Sequence, residues 1–281
     1  MQQQSDLHSG WSATLNVRVE TDQAGTRLVE RRHTGPLQIQ KPLYPEGLKI
    51  CHLMILHPPG GLAEGDDLDL RFELGESTHT VVATPAATKW YKTPTGSARQ
   101  RVAFQLRENA KLEWLPQENI IFNQSHAQTE LIVTAAENSV VLGWDMFSLG
   151  RRAAGESWKT GILKSKTQLA RSDGTLLWAE QALLSAGSGA LQATQVLNGF
   201  PVFGTLWACS KSCSSELSQE LNCPFNPRIH SGATCLPGNI LLIRAVSYQI
   251  ELLRNTMINW WVTLRSILMG VSAAPLRIWS T

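Results

Sequence analysis

A histidine and several carboxylates lie close together in the sequence and could bind a metal ion. The segment His57–Gly61 reads His-Pro-Pro-Gly-Gly, and the acidic cluster Glu64–Asp69, which contains Asp66, follows it. Prolines and paired glycines interrupt a strand, so a bend is expected. Imidazole and carboxylate groups there would hold a divalent ion loosely. The alternative is a solvated turn, with His57 orienting the bend through a backbone contact.

Three further carboxylates, Asp145, Glu156 and Glu180, lie in or near predicted strands, each with a tryptophan within two residues. A pair such as Asp145 and Glu156 would suit glycoside hydrolysis, and the tryptophans would suit sugar stacking. The sequence does not fix the carboxyl separation that this chemistry requires. A β-fold carbohydrate-active hydrolase therefore stands as the alternative function.

Other catalytic signatures are missing from the sequence. It contains no GxxxxGK[ST] phosphate loop, no GxGxxG fingerprint, no GxSxG elbow and no HExxH zinc motif. Adjacent residues on a strand face opposite sides, so Cys51 and His52 cannot act as nucleophile and base. The five cysteines lack zinc-knuckle spacing and are interpreted as reduced thiols. Any nucleotide hydrolysis is expected to belong to a partner.

Composition limits the class of protein further. The 281 residues carry 25 Lys and Arg against 23 Asp and Glu, so no basic stripe for nucleic acid is expected. The most apolar stretch, residues 250–269, contains three charged residues, which argues against a membrane span. The first fifteen residues lack the features of a secretory signal. We expect a single cytoplasmic domain over residues 1–281.

The first two hundred residues contain many short strand patterns. Leu15, Val17 and Val19 alternate with polar residues, which is typical of a half-buried strand. Turn residues separate the patterns at roughly ten-residue spacing, which predicts a sandwich, barrel or β-solenoid. The further predicted strands are residues 26–32, 51–56, 69–74, 78–83, 101–106, 111–115, 120–122, 129–133, 140–144, 175–182 and 202–207.

The C-terminal part predicts one amphipathic helix. From Ile250, apolar residues that include Trp260 and Trp261 recur at steps of three and four, and Gly270 is a suitable stop. We favour a helix that packs on the β body over one that offers its tryptophans to a partner groove. The segment 210–236 is rich in Ser, Cys, Pro and Asn and predicts an irregular insertion.

Five motifs, in the same order along the chain, resemble those of the urease accessory protein UreD (UreH) family. They are HPPGGLAEGD at residues 57–66, TPAATKWY at 84–91, LEWLPQENIIF at 112–122, GRxxxGExxxxG at 150–161, and PLRIWST at 275–281, in which Leu276 is an extra residue. The resemblance extends from about residue 15 to the C-terminus. The stretch 210–235 matches no motif of the family.

The resemblance implies a mainly β, solenoid-like body and a scaffold rather than an enzyme. Similar proteins take part in nickel insertion into apo-urease, bind UreF, which recruits the GTPase UreG, and dock on the urease structural subunits. No tightly bound cofactor is implied, only transient Ni²⁺. An ion in transit must be held weakly, and carboxylates along an internal passage would do this.

Two sets of site residues follow as hypotheses. Asp66, Asp145, Glu156 and Glu180 are expected to line a transient Ni²⁺ passage. Exposed aromatic residues in the Trp90–Tyr91 and Trp260–Trp261 segments are expected to anchor UreF or urease, because tryptophan and tyrosine dominate interface hot spots.

Overall fold

A hairpin precedes the main body of the chain. The computed structural model describes residues 10–222, 226–273 and 275–280. Its first strands are β1 (Ser12–Asp22), β2 (Gly25–Thr34) and the short β3 (Gln38–Ile39). β1 pairs antiparallel with β2, and the Asp22 carboxylate accepts the N–H groups of Ala24 and Gly25 in the turn. The strand predicted around Leu15 is therefore present.

Successive coils of the chain then form a β-solenoid of about four turns. Their strands are β4 (Cys51–Leu56), β5 (Gly61–Leu62), β6 (Asp67–Leu74), β7 (His79–Ala83), β8 (Thr88–Trp90), β9 (Ala98–Leu106), β10 (Lys111–Leu115), β11 (Asn119–Ile121), β12 (Ser125–Ala135), β13 (Val140–Leu149) and β14 (Gly161–Arg171). Strands β4, β7, β10 and β13 pair in parallel, as do β6, β9, β12 and β14. The short strands β5, β8 and β11 form a third parallel ladder.

Antiparallel elements complete the two long sheets. They are β15 (Leu176–Ser185), β16 (Val202–Cys209), β17 (His230–Leu236) and β18 (Ile240–Ser247), with helices α1 (Ser215–Glu220) and α2 (Ile250–Met269). The seven-stranded sheet has the order β15-β14-β12-β9-β6-β1-β2. The eleven-stranded sheet has the order β17-β18-β16-β13-β10-β7-β4-β3, with the short ladder attached to β13. The mainly β, solenoid-like fold is confirmed. The strand spacing predicted a sandwich, a barrel or a β-solenoid, and the family resemblance implied the solenoid.

The main core lies between the two sheets. Alternate residues of β6, from Leu68 to Leu74, are buried because successive side chains of a strand face opposite sides. Phe72 stacks on Phe104 of β9 at 4.9 Å between ring centroids, and Phe104 meets the edge of Trp114 from the opposite sheet. Tight side-chain packing of this kind fixes the separation of the sheets.

Helix α2 has the predicted bounds and covers the outer face of the eleven-stranded sheet. It packs on β13, β16 and β18 through a stripe that includes Leu253, Met257 and Leu264. Gly270 ends the helix with a φ of 69°, a conformation that glycine adopts without strain. No helix in the described ranges is long and apolar enough to cross a bilayer.

Parts of the structure differ from the sequence prediction. Strand β14 was not predicted, since its inward positions include Ser165 and Thr167 and its apolar alternation is broken. The segment 210–236 is more regular than expected, because α1 and β17 lie within it. Residues 223–225 of that segment lie outside the described part of the chain.

Candidate functional site

Three small cavities, here called the inner row, follow one another between the two sheets. The first has a volume of about 80 Å³, and the second and third about 30 Å³ each. Gln100 and Trp114 line both the first and the second cavity. Asp145 and Thr167 line both the second and the third. Neighbouring cavities thus share lining residues, and each cavity has room for water-sized groups.

Polar side chains interrupt the apolar core along the inner row. Thr129 of β12 and Ser165 of β14 lie opposite each other in register, and the Thr129 hydroxyl donates to Ser165 Oγ at 3.2 Å. Thr167 is the next inward position on β14. These hydroxyls give the wall of the second and third cavities oxygen ligands for a cation or a water molecule.

Asp145 is the central ionisable group of the inner row. It lies on β13, opposite Thr205 of β16 in the sheet register, and lines the second and third cavities. Burial raises the pKa of its carboxyl from 3.8 to about 7, although the Trp114 and Trp207 indoles lower it in part. No cationic side chain forms an ion pair with Asp145 within the described residues. Whenever Asp145 is ionised, its negative charge is therefore available to a cation in the cavity.

A glycine brings the Trp207 ring close to the Asp145 strand. A Cβ atom on Gly143 would lie 2.5 Å from the Trp207 ring, so a larger residue at this position would push the indole away. Gly143 and Trp207 are paired in register across β13 and β16. The bare backbone of Gly143 thus helps to shape the wall of the third cavity.

Glu180 provides a second carboxylate at the other side of the third cavity. It lies on β15, and its Oε1 accepts the Thr205 hydroxyl at 3.5 Å. Its charge raises the pKa of Asp145, which shows that the two carboxyl groups are electrostatically coupled. Its Oε2 accepts the Nε–H of Arg244 at 3.0 Å. The inner row therefore leads from Asp145 to Glu180.

One buried ring nitrogen along the inner row, Nε2 of His57 in the first cavity, has no hydrogen-bond partner among the described residues. The indole N–H groups of Trp114 and Trp207 instead face the Asp145 carboxyl, whose pKa they lower. Buried polar groups are normally hydrogen-bonded, and each exception needs an explanation. The first cavity, with a volume of about 80 Å³, has room for a water molecule that would satisfy the His57 nitrogen.

His57 faces the first cavity, whereas Asp66 beside it is used structurally. Burial lowers the pKa of His57 and the Asp66 charge opposes this only in part, so the imidazole is neutral and able to bind a metal. Asp66 accepts backbone N–H groups from Trp11 at 2.8 Å and Ala63 at 2.7 Å. Within the bend, the Gly60 N–H donates to the His57 carbonyl at 2.8 Å, a main-chain contact that does not involve the imidazole.

The rest of the acidic cluster behaves as a solvated turn and strand edge. Glu64 accepts from the backbone and hydroxyl of Thr95, and Asp67 pairs with Arg99 at 2.7 Å. Across the described residues, no three His, Cys, Asp or Glu side chains are grouped in a way that could hold a metal ion. The loose metal cluster considered for this segment is not formed.

Glu156 lies away from the inner row. Its carboxylate pairs with Arg151 at 3.0 Å and accepts the backbone N–H of Asn123 at 3.3 Å. Asp145 and Glu156 therefore do not share a cavity, and the carboxylate pair considered for glycoside hydrolysis is not brought together. A cavity of about 30 Å³ also leaves no room for a sugar ring beside Asp145. Asp145 and Glu180 are the predicted acids that the fold does bring together.

Comparison with known proteins identifies the family. The UreD urease accessory protein family matches residues 12–280 of the chain. The chain is 44% identical over 276 residues to the urease accessory protein UreD of Cupriavidus pinatubonensis, covering 96% of this chain and 95% of that protein. It is 42% identical to the UreD of Ralstonia nicotianae over 98% of this chain and 96% of that protein. The chain belongs to the UreD family. Membership gives it an accessory role in urease maturation.

The aromatic residues expected to anchor partners of this UreD family member are mostly buried. Trp90 is 1% exposed, and Trp260 and Trp261 are 0% exposed, so the expectation of exposed tryptophans is wrong. Trp90 Nε1 donates to Asn119 at 3.0 Å, and Tyr91, which is half-buried, meets the edge of Phe122. The favoured interpretation, in which α2 packs on the β body, is confirmed.

A buried charge network beneath α2 was missed by the sequence reasoning. Arg265 and Glu113 are both 0% exposed, and the Arg265 guanidinium bonds Glu113 at 3.0 Å and Glu46 at 2.6 Å. His79 bonds the same Glu113 at 2.7 Å, and Trp261 donates to it. Burial would raise the pKa of Glu113, but His79 and Arg265 hold it below its usual range. The sequence did contain one indication of the network, because Arg265 is a charged residue on the apolar stripe of α2.

Proposed function

We propose that this UreD family member is a scaffold that guides Ni²⁺ along the inner row during the maturation of apo-urease. The observation that carries the proposal is the row itself. Its second and third cavities share Asp145, the third also contains the Glu180 carboxylate, and threonine and serine hydroxyls line both. Nickel is the cargo in this function, and the chain needs no resident metal.

The electrostatics of Asp145 support passage of a cation. A carboxylate buried without a cationic partner loses hydration, and a dication beside it would compensate for that loss. Its neighbours Thr167 and Thr205 are neutral, so the site would attract an ion without enclosing it in a tight cage. Weak binding matters because Ni²⁺ held by several thiolates and imidazoles would be released slowly.

The size of the cavities supports an ion that has lost part of its hydration shell. The second and third cavities, at about 30 Å³ each, accept one or two water-sized groups rather than a fully hydrated ion. Hydroxyls of Thr129, Ser165 and Thr167 would replace some of the lost water ligands. The walls would thereby exclude larger solutes from the path.

Partners complete the proposed function. The sequence has no phosphate loop, so we place GTP hydrolysis in UreG, recruited through UreF, with the urease structural subunits as the acceptor of nickel. We place the process in the cytoplasm, and the free state of the four described cysteines agrees with a reducing compartment. The exposed surfaces, rather than the buried tryptophans, are the candidates for docking these partners.

The test removes charge from the inner row without changing its shape. Asp145→Asn and Glu180→Gln are introduced separately into a chain co-expressed with urease and its other accessory proteins. We expect nickel-dependent urease activity to fall by about tenfold or more, the effect of losing ~1.4 kcal/mol of cation stabilisation. The complexes are expected to assemble normally in a pull-down.

Glu73→Gln is the matched control, because Glu73 is an exposed acid on the outer face of the seven-stranded sheet. This variant should activate urease as the wild type does. Full activation by both Asp145→Asn and Glu180→Gln would refute the passage and leave only a docking role for the chain.

A further inference from the structure

The Glu180 end of the inner row is covered by an arginine. Arg244 lies on β18 and binds Glu180 through two N–H groups, with Nε at 3.0 Å from Oε2 and Nη2 in closer contact with the same oxygen. The Arg244 side chain is 55% exposed, whereas Glu180 is 33% exposed. The ion pair therefore stands between the third cavity and solvent.

The order of the strands explains this position. β15, which carries Glu180, is the edge strand of the seven-stranded sheet. In the opposite sheet β18 lies one strand beyond β16. Arg244 pairs in register with Thr205 of β16, a lining residue of the third cavity. From this position its side chain reaches Glu180 of the other sheet.

The two carboxylates of the inner row differ in their partners. Asp145 has no ion pair with a cationic group among the described residues, whereas Glu180 is neutralised by Arg244. A carboxylate that already binds a guanidinium attracts a passing cation less than an unpaired one does. The charge pattern thus favours entry of a cation at Asp145 and opposes its movement to Glu180.

We propose that Arg244 is a gate for divalent cations, in which its guanidinium occupies the cation position at Glu180 and yields it when a dication arrives. This inference rests on the proposed passage and adds a regulated exit to it. A doubly charged ion interacts more strongly with the carboxylate than the guanidinium does, and an exposed ion pair contributes little to stability. The displaced Arg244 side chain extends into solvent, where water hydrates it.

The gate also discriminates by charge. A monovalent cation gains too little from Glu180 to replace the two N–H donors of Arg244, which bind a carboxylate through charge-assisted hydrogen bonds. A dication gains about twice as much electrostatic energy at the same distance. Arg244 is therefore a positioning and specificity residue, one that acts through Glu180 rather than by binding the metal.

The test measures Ni²⁺ binding to the full chain by equilibrium dialysis with nickel chloride. Arg244→Gln keeps a polar side chain of similar length but removes the competing charge. We expect its affinity for Ni²⁺ to rise roughly three- to fivefold, the range expected for loss of an exposed competing ion pair. The rise is expected to vanish in the Arg244→Gln, Glu180→Gln double variant.

Arg71→Gln is the matched control, since Arg71 is an exposed arginine paired with Asp69 on the outer face of the seven-stranded sheet. It should bind Ni²⁺ as the wild type does. Arg244→Lys, which keeps the charge, is a second variant and should show a smaller rise than Arg244→Gln. Thermal melts of all variants show whether each is folded.

Failure of the gate and failure of the passage give different experimental results. If Glu180→Gln lowers urease activation but Arg244→Gln binds Ni²⁺ as the wild type does, the gate is refuted and the passage stands. A rise in affinity that persists in the double variant also refutes the gate, because the gained ion is then not at Glu180. If Asp145→Asn and Glu180→Gln both activate urease fully, the passage fails and the gate fails with it.

Discussion

At the scale of single residues, the inner row depends on a carboxyl group in an unfavourable place. Asp145 is half-buried between the two sheets, with two tryptophans beside it and no ion pair to a cationic side chain among the described residues. Such a group weakens the fold whenever it is ionised, because its hydration is lost and not replaced. A cargo cation beside Asp145 would supply the positive charge that the protein does not provide.

The raised pKa of Asp145 predicts that the free energy of unfolding depends on pH. The pKa of Asp145 is about 7 in the folded chain against 3.8 as the ordinary value, so between these pH values the folded state binds a proton that the unfolded state has lost. The contribution of Asp145 to the free energy of unfolding therefore falls as pH rises from about 4 to about 7 and then stays level. Asp145→Asn should remove this fall.

Urea denaturation of the metal-free wild type and Asp145→Asn at pH 5 and pH 8 measures the effect. Other titrating groups are shared by the two chains, so their contributions cancel in the comparison. Relative to the wild type, we expect Asp145→Asn to gain roughly 1–3 kcal/mol between pH 5 and pH 8. An identical pH dependence in the two chains would show that folding does not raise the pKa of Asp145.

At the scale of the elements, α2 combines an apolar stripe with a buried ion network. The sequence predicts the bounds of the helix because Gly270 and the apolar spacing are local signals. It does not predict the partners of Arg265, since Glu113 and Glu46 lie 152 and 219 residues away. The sequence does not predict the burial of the α2 tryptophans either, because the facing strands determine which apolar surface of the helix is covered.

Removing one partner of the buried charge network is expected to lower the stability of the fold considerably. Arg265→Met keeps the bulk of the side chain but leaves the buried Glu113 and the partly exposed Glu46 without the guanidinium. We expect the free energy of unfolding in urea to fall by roughly 3–5 kcal/mol, as it does when one partner of a buried ion pair is removed. Thr263→Ala, an exposed change on the same helix, serves as the control.

Adding Glu113→Gln to Arg265→Met should recover part of the loss, because the second change removes the uncompensated buried charge. If Arg265→Met alone remains as stable as the Thr263→Ala control, the network contributes little and apolar packing alone holds α2 on the sheet.

At the scale of the whole molecule, strand spacing predicted a sandwich, a barrel or a β-solenoid, and the family resemblance favoured the solenoid, but neither predicted the inner row. Coils of similar length place turn residues at regular intervals, and the local patterns of β4 and β10 gave their bounds. Both faces of β13 are covered, so its sequence shows no alternation that would tell which way Asp145 faces. The pairing of Asp145 with Glu180 depends on how two sheets face each other, a property that no single segment encodes.

If the passage belongs to the space between the sheets, bulk placed there should block it even when every carboxylate is kept. Thr167 is suited to this test because it lines both the second and the third cavity. Thr167→Phe should lower nickel-dependent urease activity by about tenfold or more by raising the barrier to ion movement. Gln168→Phe, the next position on β14 and on its opposite face, should leave activity near that of the wild type.

Overpacking a core costs about 1–3 kcal/mol, so melting temperatures and pull-downs of the accessory complex must accompany the activity assay. Thr167→Leu provides a smaller obstruction and should give an intermediate loss of activity. A graded loss in folded, assembled variants is the result expected from a physical obstruction. Wild-type activity in a folded Thr167→Phe chain would place the nickel route outside the inner row, because the enlarged side chain leaves no space for an ion between Asp145 and its neighbouring cavity.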